Sequence, residues 1–309
     1  MSLRPRRLQS GDRLAVVAPA SPFTRAEFDG GMAELVRLGF EPVPMPSVFD
    51  RDVFVAGTAE ARAADLRRAL SDPSLAGIIA VRGGYGSAQL LPWLDPQQVR
   101  AAAKPFIGYS DTTALLTFFT GACDLVAFHG PMLAGRLERG LEGYHAASFL
   151  QALGHATPMG ELTPAGLSMV APGEHRGVLL GGTVTQLLAS LGTPWAFAPP
   201  PGYILFFDEV RERPYRLDRM LTQLSQSGLL QRAGAVVVGE LPGCDEPEGG
   251  VTATDVLRRH FASFPGPVIA GFPSGHTTGP TWTLPFGVAA RVVAQGARVS
   301  LVIEEPAVQ

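Results

Sequence analysis

Ser110 stands in Gly108-Tyr109-Ser110-Asp111-Thr112, after Lys104-Pro105-Phe106-Ile107 and before the apolar run Ala114-Leu115-Leu116. The pattern reads as a short strand that ends on a small residue, turns on a serine and starts a helix. Such a turn pushes a hydroxyl away from the backbone and into a cleft. The helix start behind it supplies unpaired N–H groups and a field that favours negative charge. That is the setting of a nucleophile, although the full Gly-x-Ser-x-Gly pattern is missing. The alternative is a serine that merely caps its helix.

A serine nucleophile needs a base, an orienting acid and an oxyanion hole. His276, in Pro273-Ser274-Gly275-His276-Thr277, is the first candidate base, because small neighbours let its ring approach another group. His129, in Phe128-His129-Gly130-Pro131, is the runner-up, and reads equally as a buried histidine bonded to backbone. His145, His155, His175 and His260 read as mostly surface. The acid is Asp208 or Glu209, which follow the apolar strand Ile204-Leu205-Phe206-Phe207. Side chains alternate along a strand, so only one of the pair can face a cleft. The other is expected to meet solvent or a cation such as Arg211 or Arg213. Arg82-Gly83-Gly84-Tyr85-Gly86 lacks the spacing of a phosphate loop or a dinucleotide site. Its glycines do allow backbone N–H groups close to a ligand.

These groups must be carried by elements. Arg13–Ala20, Phe40–Val43, Gly77–Val81 and Phe106–Gly108 read as strands. Phe28–Leu38, Thr58–Leu70 and Thr112–Thr120 read as helices between or after them. That rhythm predicts a mostly parallel, flavodoxin- or Rossmann-like sheet with helices on both faces. Functional groups then belong at the carboxyl ends of its strands, where Gly83-Gly84 and Ser110 fall. Residues 141–174 are dense in glycine and proline, and read as a connection between domains. A smaller β-rich α/β unit is expected after it. The expected organisation is 1–140 with the nucleophile, 141–174 as connection, and 175–309 with the acid and the histidine.

The chain of 309 residues is 46% hydrophobic and 17% charged, with 36 glycines and 27 prolines, which is an ordered globular composition. A formal charge of −3 argues against a nucleic-acid surface. Arg4, Arg6 and Arg7 read as a short solvated leader. The two cysteines, Cys123 and Cys244, make neither a disulfide framework nor a metal-ligand pattern. No cofactor is expected. The run Leu14–Pro22 is too short to span a membrane, and no secretory leader stands out, so a cytoplasmic protein is expected.

With these motifs in order, the sequence resembles the LD-carboxypeptidases, which include muramoyltetrapeptide carboxypeptidases and microcin C immunity proteins. The resemblance runs nearly end to end. It takes in Gly11–Ser21, Arg82–Gly86, Gly108–Asp111, His129-Gly130-Pro131-Met132, Gly181-Gly182, Leu191-Gly192-Thr193-Pro194, Tyr215–Leu224 and Gly275-His276. It implies a Ser-acid-His triad of Ser110, Asp208 and His276, with Glu209 as the alternative acid. It also implies an oxyanion hole of backbone N–H groups from Asp111 and Gly84. Two departures stand out: Asp208 occupies the place of the family's glutamate, and Thr183 that of an asparagine. The implied activity is removal of a terminal D-alanine from muropeptide tetrapeptides through an acyl-enzyme, in peptidoglycan recycling. Arg82, with Gly83 and Tyr85, would hold the free carboxylate. The implied partners are a peptide or muropeptide, no nucleic acid, no membrane, and a second copy in a homodimer. The alternatives are an amidohydrolase of peptide-nucleotide or aminoacyl-nucleotide conjugates and an inactive binding relative.

Overall fold

Gly77-Ile78-Ile79-Ala80 is buried at every position, as a strand covered on both faces must be. It is the third strand of a computed structural model that describes residues 2–309. In chain order the first five strands are β1 (Arg13–Val17), β2 (Glu41–Pro44), β3 (Gly77–Ala80), β4 (Phe106–Gly108) and β5 (Ala127–His129). The next six are β6 (Gly160–Leu162), β7 (Ser168–Ala171), β8 (Gly173–Thr183), β9 (Tyr203–Asp208), β10 (Ala233–Gly239) and β11 (Val268–Phe272). The last three are β12 (Leu284–Phe286), β13 (Ala289–Gln295) and β14 (Arg298–Ile303).

Two α/β units result. The first sheet has the order β12-β5-β4-β3-β1-β2, parallel throughout except for β12. Helices Arg25–Arg37 and Ala59–Ser71 belong to this unit. Thr24 and Glu27 close a capping box at the start of the first, and Thr58 caps the second. The second sheet has the order β6-β14-β13-β8-β9-β10-β11-β7, with a parallel centre from β8 to β11 and antiparallel flanks. Helix Pro214–Gln226 starts on a proline and buries Leu217, Met220, Leu221 and Leu224, a stripe at helical spacing.

Several elements differ from the sequence reading. The glycine- and proline-dense stretch holds a helix, Ala146–Gly154, and the edge strands β6 and β7. Short edge strands tolerate the breakers that a central strand does not. The segment after Ser110 is a 3₁₀ turn, one α turn and a π turn in succession rather than one α-helix. β12 returns from the second half of the chain to pair with β5, so the first sheet is completed from far along the sequence. The arginine-rich start is tied down rather than loose: Leu3, Arg7 and Leu8 donate backbone hydrogen bonds to Asp124, Gln309 and Leu153.

Candidate active site

β4 ends at Gly108, and the chain turns so sharply that Ser110 takes a positive φ of 63°. A non-glycine residue there carries strain on the order of 1–3 kcal/mol, which the surroundings must hold. They do so through side chains. Thr112 Oγ1 donates to the Tyr109 carbonyl at 2.8 Å. The buried Asp111 carboxylate accepts from Ser87 N–H at 2.8 Å, while Ser87 Oγ donates to the Asp111 carbonyl at 2.6 Å. The glycine-rich turn after β3 is thereby locked against the serine turn. Burial pushes the Asp111 carboxyl up in pKa, against the hydrogen bonds from Ser87 and Gly86 and the nearby Arg62. The buried Arg62 in turn donates to the Gly57, Pro19 and Gly86 carbonyls.

This lock brings Gly83 directly onto Ser110. A Cβ at residue 83 would stand 2.8 Å from Ser110 Cβ and 3.2 Å from Asp111 N, so only glycine fits. Gly84 follows with φ 99°. The backbone around Gly83-Gly84 and Asp111 therefore borders the serine hydroxyl.

The partners of Ser110 come from the second unit. His276 Nε2 lies 3.1 Å from Ser110 Oγ, and His276 Nδ1 lies 2.7 Å from Asp208 Oδ2. The backbone N–H of His276 also donates to Asp208 Oδ2, at 2.7 Å. Asp208 is fully buried at the end of β9. Its other oxygen accepts from Thr183 Oγ1 at 2.7 Å. The two strands are in register here, Thr183 beside Asp208. Burial alone would raise the Asp208 pKa, but His276 outweighs it and holds the carboxyl down at about 2. Burial likewise opposes charge on His276, and the Asp208 carboxylate wins, raising the imidazole above its ordinary 6.5. Gly275 makes the approach possible, since a Cβ there would lie 2.2 Å from Asp208 Oδ2.

Glu209 points the other way. It is buried, and accepts from the Thr185 N–H and hydroxyl and from its own neighbour Val210 N–H. Asp208 and Glu209 thus face opposite ways at the end of β9, with Asp208 toward the histidine. The expectation of solvent or an arginine for the other acid did not hold, because the helix Val184–Ala189 starts close enough to satisfy Glu209 locally. His129 is sealed in the core, with Nδ1 at 2.8 Å from Ser274 Oγ. Burial lowers its pKa to about 4, so it is a neutral packing group rather than the partner of Ser110. Of the remaining histidines only His155 is exposed; His145 stacks on Trp282, His175 meets the Gly202 carbonyl and His260 meets Asp218.

A cavity of roughly 280 Å³ opens over Ser110 and His276. Glu27, Arg82, Gly83, Gly84, Tyr109 and Met132 are among its walls. Arg82 is exposed, and its one hydrogen bond is a long one, 3.4 Å to the Pro22 carbonyl. Glu27 keeps its charge: hydrogen bonds from Thr24 and the field of Arg82 outweigh its partial burial. Tyr85 and Thr183 do not line this cavity. Tyr85 stands exposed outside it, its N–H bonded to Ser21 Oγ.

Sequence reasoning missed Arg136. This buried guanidinium donates to the carbonyls of Gly275, Thr277 and Gly279, and to the Tyr109 hydroxyl. It clamps the loop that carries His276. Nothing local in the sequence marks it, because the carbonyls it serves lie about 140 positions away. Among the described residues no group of three or more His, Cys, Asp or Glu is placed to hold a metal ion.

Two family models match the chain: the LD-carboxypeptidase N-terminal domain over residues 14–130, and the LD-carboxypeptidase C-terminal domain over residues 176–292. A relative from Streptomyces coelicolor is 38% identical, over 97% of this chain and 96% of its own length. This protein belongs to the LD-carboxypeptidase family. It is accordingly a serine hydrolase. The murein tetrapeptide carboxypeptidase of Pseudomonas aeruginosa is 32% identical, over 85% of this chain and 88% of the relative. The microcin C7 self-immunity protein MccF, in complex with aspartyl sulfamoyl adenosine, superposes with a TM-score of 0.89 at 25% identity, covering 99% of this chain and all of that one.

The MccF complex corrects one expectation. A partner set of peptides alone, with nothing nucleic in it, does not describe this LD-carboxypeptidase family, since a member of the same fold is captured with a nucleoside conjugate. As for membranes, no helix among the described residues is long and apolar enough to cross one.

Proposed function

We propose that this LD-carboxypeptidase family member cleaves the acyl–nitrogen bond of small conjugates, aminoacyl-nucleotide compounds first among them, through an acyl-enzyme on Ser110. The observation that carries the reading is the unbroken line of contacts from Ser110 Oγ to His276 to Asp208. With its Nδ1–H donating a hydrogen bond to the ionised Asp208, His276 presents a bare Nε2 to the serine proton. His276 takes that proton as Ser110 attacks the carbonyl, and then donates it to the leaving nitrogen. Asp208 holds the tautomer and offsets the imidazolium charge. The N–H groups of Asp111 and Gly84 receive the oxyanion. Water then releases the acyl group by the same steps in reverse order.

The cavity walls support the substrate class. Glu27 and Arg82 supply one negative and one positive charge beside the serine. An aminoacyl sulfamate or phosphoramidate carries an ammonium and an anionic group on either side of its scissile bond, and matches both. The test is incubation with aspartyl sulfamoyl adenosine and with a muropeptide tetrapeptide, read by mass spectrometry. Release of aspartate from the first is expected. Loss of D-alanine from the second, with the first left intact, would move the function to the carboxypeptidase activity named for the Pseudomonas relative.

A further inference from the structure

We infer that Thr183 is a positioning residue for the orienting acid, an inference that rests on the catalytic reading of Ser110, His276 and Asp208. Both His276 donors fall on Asp208 Oδ2, and the donor that meets Oδ1 is the Thr183 hydroxyl at 2.7 Å. A carboxylate on a single-methylene stem, wholly buried, is free to rotate about its last bond unless both oxygens are engaged. Thr183 fixes that rotation, and so sets the plane in which Oδ2 meets the ring.

A second observation supports the assignment. Thr183 occupies the N-cap of the helix Val184–Ala189, where a threonine hydroxyl ordinarily accepts from the first helical turn. Here it makes no capping bond. Its hydroxyl is committed to Asp208 instead, and the first turn of the helix is met by the Glu209 carboxylate, which accepts from the Thr185 N–H. The backbone of Thr183 is itself pinned, its N–H donating to Thr113 Oγ1 at 3.0 Å, three residues past Ser110. The acid, the threonine and the serine turn therefore form one buried set.

The experiment is the rate at which a fluorophosphonate probe labels Ser110, which needs no knowledge of the substrate. Thr183→Val removes the donor at nearly constant volume, and should slow labelling about 10- to 100-fold. Thr183→Ser keeps the hydroxyl, and should stay within about threefold of wild type. In an Asp208→Asn background, Thr183→Val should add little, because its effect passes through the carboxylate. Equal labelling of wild type and Thr183→Val would overturn the inference, as would the same slowing in both backgrounds, which would mark a packing defect. If Thr183→Val fails to fold, Thr183→Ser and Thr183→Ala still separate hydroxyl from volume, and equal rates for those two would overturn it. Absence of labelling at Ser110 in the wild type would instead refute the catalytic reading on which the inference stands.

Discussion

The Arg136 guanidinium donates to the carbonyl of Gly275 at 2.9 Å, one residue before His276. It reaches the Thr277 and Gly279 carbonyls from the same position, and its plane lies over the Tyr109 ring at 5.8 Å. Tyr109 in turn meets the His276 ring edge-on, with centroids 5.2 Å apart. The base is thus held from its backbone by one buried cation and at its ring by one aromatic. A guanidinium can serve several carbonyls in a plane, which an ammonium cannot. Arg136→Lys should therefore keep the charge but loosen the loop. We expect kcat to fall about 10- to 100-fold with KM changed less than threefold, and stability to fall by about 1–3 kcal/mol. Kinetics and thermal melts of the variant check this. Unchanged kcat in a folded protein would remove Arg136 from the machinery.

Asp208→Asn keeps the shape and removes the charge that orients His276. Turnover should drop on the order of 10³–10⁴-fold. Glu209→Gln should leave kcat within about threefold, since among the described residues the Glu209 carboxylate bonds to Thr185 and Val210 and not to the histidine. The reverse ranking in steady-state assays would assign the acid to Glu209.

The serine turn, the histidine and the strand-end acid were legible because each rests on local signals: a small residue after a strand, glycine beside histidine, charge closing an apolar run. Alternation in β9 said that one acid of the pair faces a cleft, and the resemblance chose Asp208. What stayed hidden is long-range. Arg136 acts on a loop brought to it by tertiary packing. The Asp111 side chain, as opposed to its N–H, works by locking a turn 24 positions earlier. β12 has only three residues, and pairs with β5 from the far half of the chain. The edge strands β6 and β7 sit among breakers whose cost is small at a sheet edge, so composition there pointed to a connector.

Ser110→Ala should reduce turnover by about 10³-fold or more, and abolish labelling by a serine-directed probe. The same substitution also relieves a hydroxyl of its place in a strained turn, but an alanine at φ 63° is no more comfortable, so melting should shift little. Retained turnover by folded protein would exclude Ser110 as nucleophile.

Activity should rise with pH. His276 must be neutral to accept a proton, and the carboxylate beside it raises its pKa above 6.5, so the acidic limb of kcat/KM should lie above that value. In Asp208→Asn the limb should move to lower pH, as the raising charge is gone and burial then favours the neutral ring. Stability follows the same linkage. The raised His276 pKa contributes stability below the unfolded value, lost as pH rises through the folded one. The lowered Asp208 pKa contributes above the unfolded value of about 3.8, lost as pH falls toward about 2. A limb that does not move in Asp208→Asn would separate the observed titration from this pair.

Arg82 bears on substrate charge. It lines the cavity with Ser110 but is exposed, and its one hydrogen bond is a long contact with the Pro22 carbonyl. A cation in that position attracts an anionic group through water-screened charge, so its contribution is small, about 0.2–1 kcal/mol. Arg82→Gln should then raise KM about two- to fivefold, leave kcat nearly unchanged, and matter less in 0.5 M salt than in dilute buffer. Neutralising the anionic group of the substrate should cost wild type a similar factor, and the Arg82→Gln variant almost nothing more. A loss of about 100-fold or more from either change, insensitive to salt, would mean that the Arg82 side chain closes over the bound substrate and is desolvated there. Titrating KM against ionic strength for wild type and Arg82→Gln distinguishes the two, because only the open arrangement lets salt reach the pair.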